Sequence, residues 1–186
     1  MKKTTSLLVV ILAIAAASAS TAYSKGKEYP VTKTSPDAKK SSYDIQFLDS
    51  MIEHHRQGVE MAQKAVDRSQ TQEIKKKAQS MMTDLKGDIS KMKSIRDDIQ
   101  ENAPESINMD MEGMKQVDMK ELDTVSAKNF DEKFLKMSIA HEEGGLEMSK
   151  EASKRAKNQA IKDEARELTN KQIGEIAELK EMLKNQ

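Results

Sequence analysis

The chain has 186 residues, 31 basic and 31 acidic side chains, no cysteine, no tryptophan and 13 methionines. That length fits one ordinary domain with additions, and the neutral balance leaves no basic footprint for nucleic acid. Without cysteine there is no disulfide, zinc ribbon, iron–sulfur ligation or thiol nucleophile, so any soft-metal chemistry falls to methionine and histidine. Methionine is the anomaly: beyond residue 22 there are twelve Met against eight Leu, although leucine is normally among the commonest residues of a globular domain.

Residues 1–22 begin with Lys2 and Lys3, continue through an apolar stretch from Leu7 to Ala17, and end in small residues, with Ala17-Ser18-Ala19 and Ser20-Thr21-Ala22 as alternative cleavage triplets. This is the pattern of a secretory signal peptide, and the stretch is shorter than the roughly 20 apolar residues that span a bilayer. The expectation is export to the periplasm, cleavage, and no membrane span afterwards. Residues 23–42 are rich in Lys, Ser, Thr and Pro, with Pro30 and Pro36 blocking a helix, and read as a flexible leader.

From residue 43 onward the chain repeats itself without a gap. Tyr43-Asp44-x-x-Phe47-Leu48-x-x-x-Ile52-x-His54-x-x-x-Gly58-x-Glu60-Met61 lies over Phe130-Asp131-x-x-Phe134-Leu135-x-x-x-Ile139-x-His141-x-x-x-Gly145-x-Glu147-Met148. The match continues through Arg68/Arg155, Ile74/Ile161, Ala78/Ala165, Gly87/Gly174 and Ile89/Ile176, the mark of a duplicated unit. Each copy has two stretches with apolar residues at helical spacing and hardly any strand-like alternation. The spacing predicts helices over Tyr43–Arg68 and Gln72–Gln100, then Phe130–Lys157 and Gln159–Asn185, with Ser42 and Asn129 as N-caps. Two hairpins that cannot bury their apolar stripes alone predict an all-α, ferritin-like four-helix bundle. Repeat one is 43–100, a Met-rich connector is 101–128, and repeat two is 129–186. The connector is about as long as a helix. Running the length of the bundle, it would make the two histidine-bearing helices antiparallel.

On the first helix Phe47, Met51, His54, Gly58, Met61 and Ala65 share one face by their spacing of three or four. Phe134, Ser138, His141, Gly145, Met148 and Ala152 form the matching face of repeat two. The chain's three histidines, His54, His55 and His141, all fall in this motif. A mid-helix glycine costs about 1 kcal/mol relative to alanine, so the recurrence of Gly58 and Gly145 implies a close backbone approach or room for a ligand. Methionine also fills irregular gaps in cores that lack aromatics, and Met81, Met82, Met92 and Met182 read as such core.

Thioether and imidazole donors suit monovalent copper and, by the same softness, silver, whereas calcium and magnesium want oxygen. A ferritin-like di-iron site would need Glu-x-x-His. Here Met51, Ile52 and Ser138 stand three residues before the histidines, which disfavours oxidase chemistry, and no catalytic constellation is visible. His54 and Met61 are roughly 10 Å apart along a helix, too far to share an ion bound at about 2 Å. Met51 with His54 or His55, and Met137 with His141, are one turn apart and could share one. With antiparallel histidine helices, His54 would come level with Met148 and His141 with Met61, giving two symmetry-related His/Met sites. In the connector Met109, Met111, Met114 and Met119 are either an apolar clasp on the bundle or a mobile trap for a soft ion.

At Phe47-Leu48-x-x-Met51-Ile52-x-His54-His55-x-x-x-Val59-x-Met61-Ala62 the sequence resembles the ferritin-like family catalogued as domain of unknown function 305. Its exported, methionine-rich character makes it look like the CopM-like periplasmic copper-binding branch. The resemblance covers roughly residues 42–186. It implies a bundle that binds monovalent copper or silver in copper resistance. Residue by residue it points at Met51, His54, His55 and Met61, and through the repeat at His141 and Met148. Glu142 stands where a second paired histidine would, which leaves the second ligand set open. The expectation is a non-enzymatic copper-binding protein that buffers the ion or hands it to a copper efflux or sensor protein in the envelope. The alternative is an envelope stress or partner-binding bundle whose methionines form an adaptable surface.

Overall fold

The computed structural model describes residues 33–102, 104–115 and 117–186. The expected signal peptide and residues 23–32 of the expected leader lie outside the described residues. The helices are α1 (Tyr43–Arg68), α2 (Gln72–Gln100), α3 (Met119–Thr124), α4 (Phe130–Arg155) and α5 (Gln159–Lys184), and no strand occurs among the described residues. The four long helices coincide with the expected ones to within two residues. The short α3 and the 3-10 turns Ala38–Lys40 and Ala127–Asn129 have no periodic pattern long enough to foretell them. Ser42 caps α1 by accepting from Ile45 N at 3.4 Å. Asn129 occupies the cap position of α4 without a side-chain bond.

α1 packs on α2 and α4 on α5 as hairpins, and the hairpins join through α1 against α4. The antiparallel register follows from contacts at three levels. Asp44, at the start of α1, accepts from Lys157 N at 2.9 Å and Asn158 N at 2.8 Å, in the turn between α4 and α5. Ser138 Oγ of α4 donates to Met61 Sδ of α1 at 3.6 Å. Asp131, at the start of α4, accepts from Thr71 Oγ1 at 2.5 Å, in the turn between α1 and α2. Each repeat's aspartate therefore satisfies polar groups at the other repeat's turn. Arginines cross in the same way. Arg68 lies over the Phe130 ring at 4.8 Å and Arg155 over Tyr43 at 4.3 Å, cation–π contacts that clamp both ends of the bundle.

The connector runs the length of the bundle, as expected. Near its start, Asp49 of α1 accepts from Arg96 Nε at 2.6 Å and from Ser106 N at 2.7 Å. At its end, Arg68 donates to the carbonyls of Leu122 and Val125. Residues 33–42, expected as the last part of a flexible leader, are tied to it. Ser35 N donates to Ile107 O at 2.8 Å, and Met109 N donates to Thr34 Oγ1 at 3.1 Å. An irregular connector has backbone groups with no ladder of their own, and this segment supplies partners for them.

The apolar core comes in two parts. One gathers Met61, Met81, Met119, Phe130, Phe134 and Met182, the other Phe47, Met51, Met92, Met114, Met148 and Leu168. Along each long helix a buried polar stretch separates them, with His54, His55 and Gln57 on α1, Asp88 on α2, His141 and Glu142 on α4 and Gln172 on α5. α2 and α5 scarcely touch. Ion pairs made by long lysine side chains span them, Lys91 to Glu164 and Lys171 to Asp88, each at 2.5 Å.

Candidate metal centre

His54 and His141 hold the same position in the two repeats, and the antiparallel crossing of α1 and α4 makes them meet. Their rings stack with centroids 3.7 Å apart and planes 8° from parallel, and both are buried. Glycine makes this possible. A side chain at Gly145 would begin 3.0 Å from His54 Cε1, and one at Gly58 would begin 3.1 Å from His141 Nε2. The costly recurrent glycine is therefore the seat of the other repeat's imidazole.

His54 Nε2 lies 3.1 Å from the carbonyl oxygen of His141. A carbonyl only accepts, so Nε2 carries the proton and donates, which leaves Nδ1 with a lone pair. That Nδ1 has no partner, and neither do the two nitrogens of His141. Burial, then the neighbouring His141 and His55, hold His54 well below the ordinary histidine value. Burial, then His55, lower His141 to about 3. Both rings are therefore neutral near pH 7, and a metal ion has no proton to displace from them.

The stack also limits what the pair can do. An imidazole lone pair lies in the ring plane, and two stacked, nearly parallel planes do not converge on a point about 2 Å from a nitrogen of each. In this arrangement each ring takes its own ion, or one ring must turn before both can hold one. A cavity of about 220 Å³ under the connector is lined by His54, His141, Met137 and Gly144. Met137 is one turn from His141 and half-buried, so a thioether and an imidazole share one small space. Gly113, at φ +84°, rests directly on Gly144. A side chain at Gly144 would begin 2.5 Å from the Gly113 carbonyl oxygen.

Two glycine classes follow. Gly174 and Gly87 face open space, and Gly174→Ala should stabilise the protein by about 0.5–1 kcal/mol through backbone entropy alone. Gly144→Ala should destabilise it by about 1–3 kcal/mol, because a backbone oxygen is in the way and the connector must shift. Urea denaturation of both variants checks this contrast in sign.

His55 points elsewhere, although it is adjacent in sequence. Its Nε2 is 3.8 Å from Asp88 Oδ2, and it lines a cavity of about 500 Å³ between α2 and α5 together with Glu142, Lys171 and Glu175. Burial works to raise Asp88, but hydrogen bonds from His55 and Lys171 outweigh it and hold the carboxyl below its ordinary value. Burial, then Glu175, push Glu142 up to about 7. Among the described residues no three His, Asp or Glu are grouped so as to hold an ion. A metal centre here therefore depends on imidazole and thioether.

The structure distributes the other candidate residues. Met61 and Met119 lie in one part of the core, Met51, Met114 and Met148 in the other, and Met109 and Met111 pack against the latter. The residues that sequence reasoning passed over are Gln172, beside His54, and the crossing pairs Asp44/Asp131 and Arg68/Arg155. The recurrence of the two pairs in the repeat was their signal. Gln172 had none, because repeat one carries Leu85 there.

The family model described as Domain of unknown function (DUF305) matches residues 44–183. Among solved structures, a DUF305 protein from Streptomyces coelicolor is 26% identical with a TM-score of 0.68, covering 76% of this chain and 91% of its own. CopM in a Cu(II)-bound form is 24% identical with a TM-score of 0.67, covering 76% and 96%. CopM in a Cu(I)-bound form is 22% identical with a TM-score of 0.66, covering 78% and 98%. The likeness to CopM is one of fold. Comparison with curated proteins finds no match. Matched by that model over residues 44–183 and built as the same kind of helical bundle, the chain belongs to the DUF305 family.

Proposed function

We propose that this protein binds monovalent copper, with silver as its chemical surrogate, through imidazole and thioether donors. In this reading it buffers or hands on the ion in the cell envelope and catalyses no reaction. The observation that carries the reading is the pair of duplicated, buried, neutral histidines whose lone-pair nitrogens lack partners, opening to a cavity that also holds Met137. Soft monovalent ions prefer this donor set. That CopM, of the same fold, has been solved with Cu(I), Cu(II) and silver bound supports copper or silver, and the soft donor set selects the monovalent ion. His141 with Met137 is the best-formed pair, His54 takes an ion of its own unless its ring turns, and the connector methionines Met109, Met111, Met114 and Met119 supply further donors. A periplasmic efflux or sensor protein would receive the ion.

Thermal denaturation with and without the ion under anaerobic conditions tests this. An ion that binds only the folded state adds about 2.7 kcal/mol at one hundred times its Kd, a rise in Tm of roughly 5–10 °C for a chain of this size. An unmoved midpoint at saturating copper(I) and silver(I) would favour the partner-binding bundle instead.

A further inference from the structure

The two histidines are equivalent in the repeat but not in their surroundings. Against Gly58, where His141 sits, the third wall is Leu85, with Cδ1 2.9 Å from the point where a Gly58 side chain would begin. Against Gly145, where His54 sits, the third wall is Gln172, the residue that replaces Leu85 in repeat two. From the corresponding point at Gly145, His54 Cε1 is 3.0 Å away and Gln172 Cδ 3.2 Å, and the Gln172 amide nitrogen is closer than either.

Gln172 is buried, and its amide is oriented by Ser149, whose Oγ donates to Gln172 Oε1 at 3.0 Å. The NH2 group is left without an acceptor, and His54 Nδ1 is left without a donor. Cε1 lies between the two ring nitrogens, so the His54 ring, whose free nitrogen is Nδ1, and the unpaired amide donor border the same point at Gly145. Turning the amide toward Nδ1 would satisfy both, and buried polar groups left unmade are costly enough to favour that turn. His54 has no second choice, since its Nε2 proton is committed to the His141 carbonyl. His141 faces hydrocarbon at Leu85 and can offer either nitrogen.

We infer that Gln172 is a positioning residue that holds back the His54 lone pair, so that the first monovalent ion goes to His141 and the second, more weakly, to His54. The inference rests on the copper and silver reading above. An ion at His54 must displace the Gln172 amide and leave it unpaired, whereas an ion at His141 displaces nothing.

Silver(I) titrated into the protein, with the histidine ring signals followed by NMR and affinities obtained by competition, tests it. The His141 signals should move with the first equivalent and the His54 signals with the second. Gln172→Leu installs the residue repeat one already carries, and His54 affinity should rise about three- to tenfold, the worth of one hydrogen bond, so that the two rings fill together. Leu85→Gln places the same amide over His141 and should weaken that site by a similar factor, which keeps the test decisive if Gln172→Leu fails to fold. If His54 moves first, if both rings move together in the natural sequence, or if the folded variants leave the order unchanged, the role of Gln172 is overturned. Absence of any silver binding by the natural sequence would instead overturn the soft-ion reading itself.

Discussion

Glutamine at both His54 and His141 is expected to lower silver(I) and copper(I) affinity on the order of a hundredfold or more. Residues that merely orient a metal ligand already cost about 10–100-fold when lost, and here both imidazoles go. What remains at the cavity is Met137, a single weak donor where a soft monovalent ion needs at least two. Glutamine keeps a polar side chain in the space above Gly58 and Gly145, so the bundle is not emptied. His141→Gln alone should cost more than His54→Gln, since only His141 shares a turn with Met137. Anaerobic competition against a chelator of known affinity reads all three variants. Unchanged stoichiometry and affinity in the double variant would place the ion elsewhere and remove the stacked pair from the site. Leucine at Met109, Met111, Met114 and Met119 keeps volume at a cost under about 1.5 kcal/mol each. A loss of affinity in that variant would make the thioethers ligands, and unchanged affinity would make them packing.

The stability of the metal-free protein should fall as pH drops below 7, and the variant with glutamine at both His54 and His141 should show the opposite slope. Both imidazoles are held neutral by burial, His141 down to about 3 and His54 also far below its ordinary value. An unfolded chain takes up protons on them near pH 6.5. Between pH 6.5 and about 3 the unfolded state therefore binds more protons, and stability is lost as pH falls, at up to about 1.4 kcal/mol per pH unit for each proton of difference. Glu142 works against this. Its pKa is raised to about 7 by burial and by Glu175, so from about pH 4.5 to 7 the folded state holds a proton that the unfolded state releases, and stability from this group is lost as pH rises. Two histidine protons outweigh one glutamate proton, so the net slope keeps the sign set by the histidines. Removing His54 and His141 leaves the raised carboxyls of Glu142 and Glu60, and the slope between pH 5 and 7 should invert. Glu142→Gln should steepen it. Urea unfolding at pH 5, 6 and 7 measures all of these, and a pH-independent stability in the natural sequence would show that the rings are not held neutral.

The four helices were legible because each depends on a local pattern, the apolar spacing and caps that any 25-residue stretch carries within itself. The connector's path and the antiparallel α1 and α4 were legible too, since a duplicated hairpin joined by a helix-length link has few ways to close. What the cost of Gly58 and Gly145 was for could not be read. The residue each glycine accommodates is the other repeat's histidine, His141 at Gly58 and His54 at Gly145, and no periodicity reports a contact at that range. Long separation in the chain likewise hid the crossing of Asp44 to Asn158 and of Arg68 to Phe130. Met51 could share an ion with His54 or with His55 by spacing alone, but neighbouring residues on a helix do not face the same way. The fold turns His55 to the α2/α5 cleft and His54 to the connector.

By itself the sequence determined the donor chemistry of this protein. With no cysteine, three histidines in one motif and a methionine excess, a metal centre could only be built of imidazole, thioether and carboxylate. Which of these donors meet was decided by the tertiary structure. Antiparallel packing across two glycines stacks His54 on His141 beside Met137, sends Met51, Met61 and Met148 into the apolar core, and sets Gln172 against one histidine and Leu85 against the other. Donor type is a property of each side chain, whereas convergence on one point depends on how two distant helices cross.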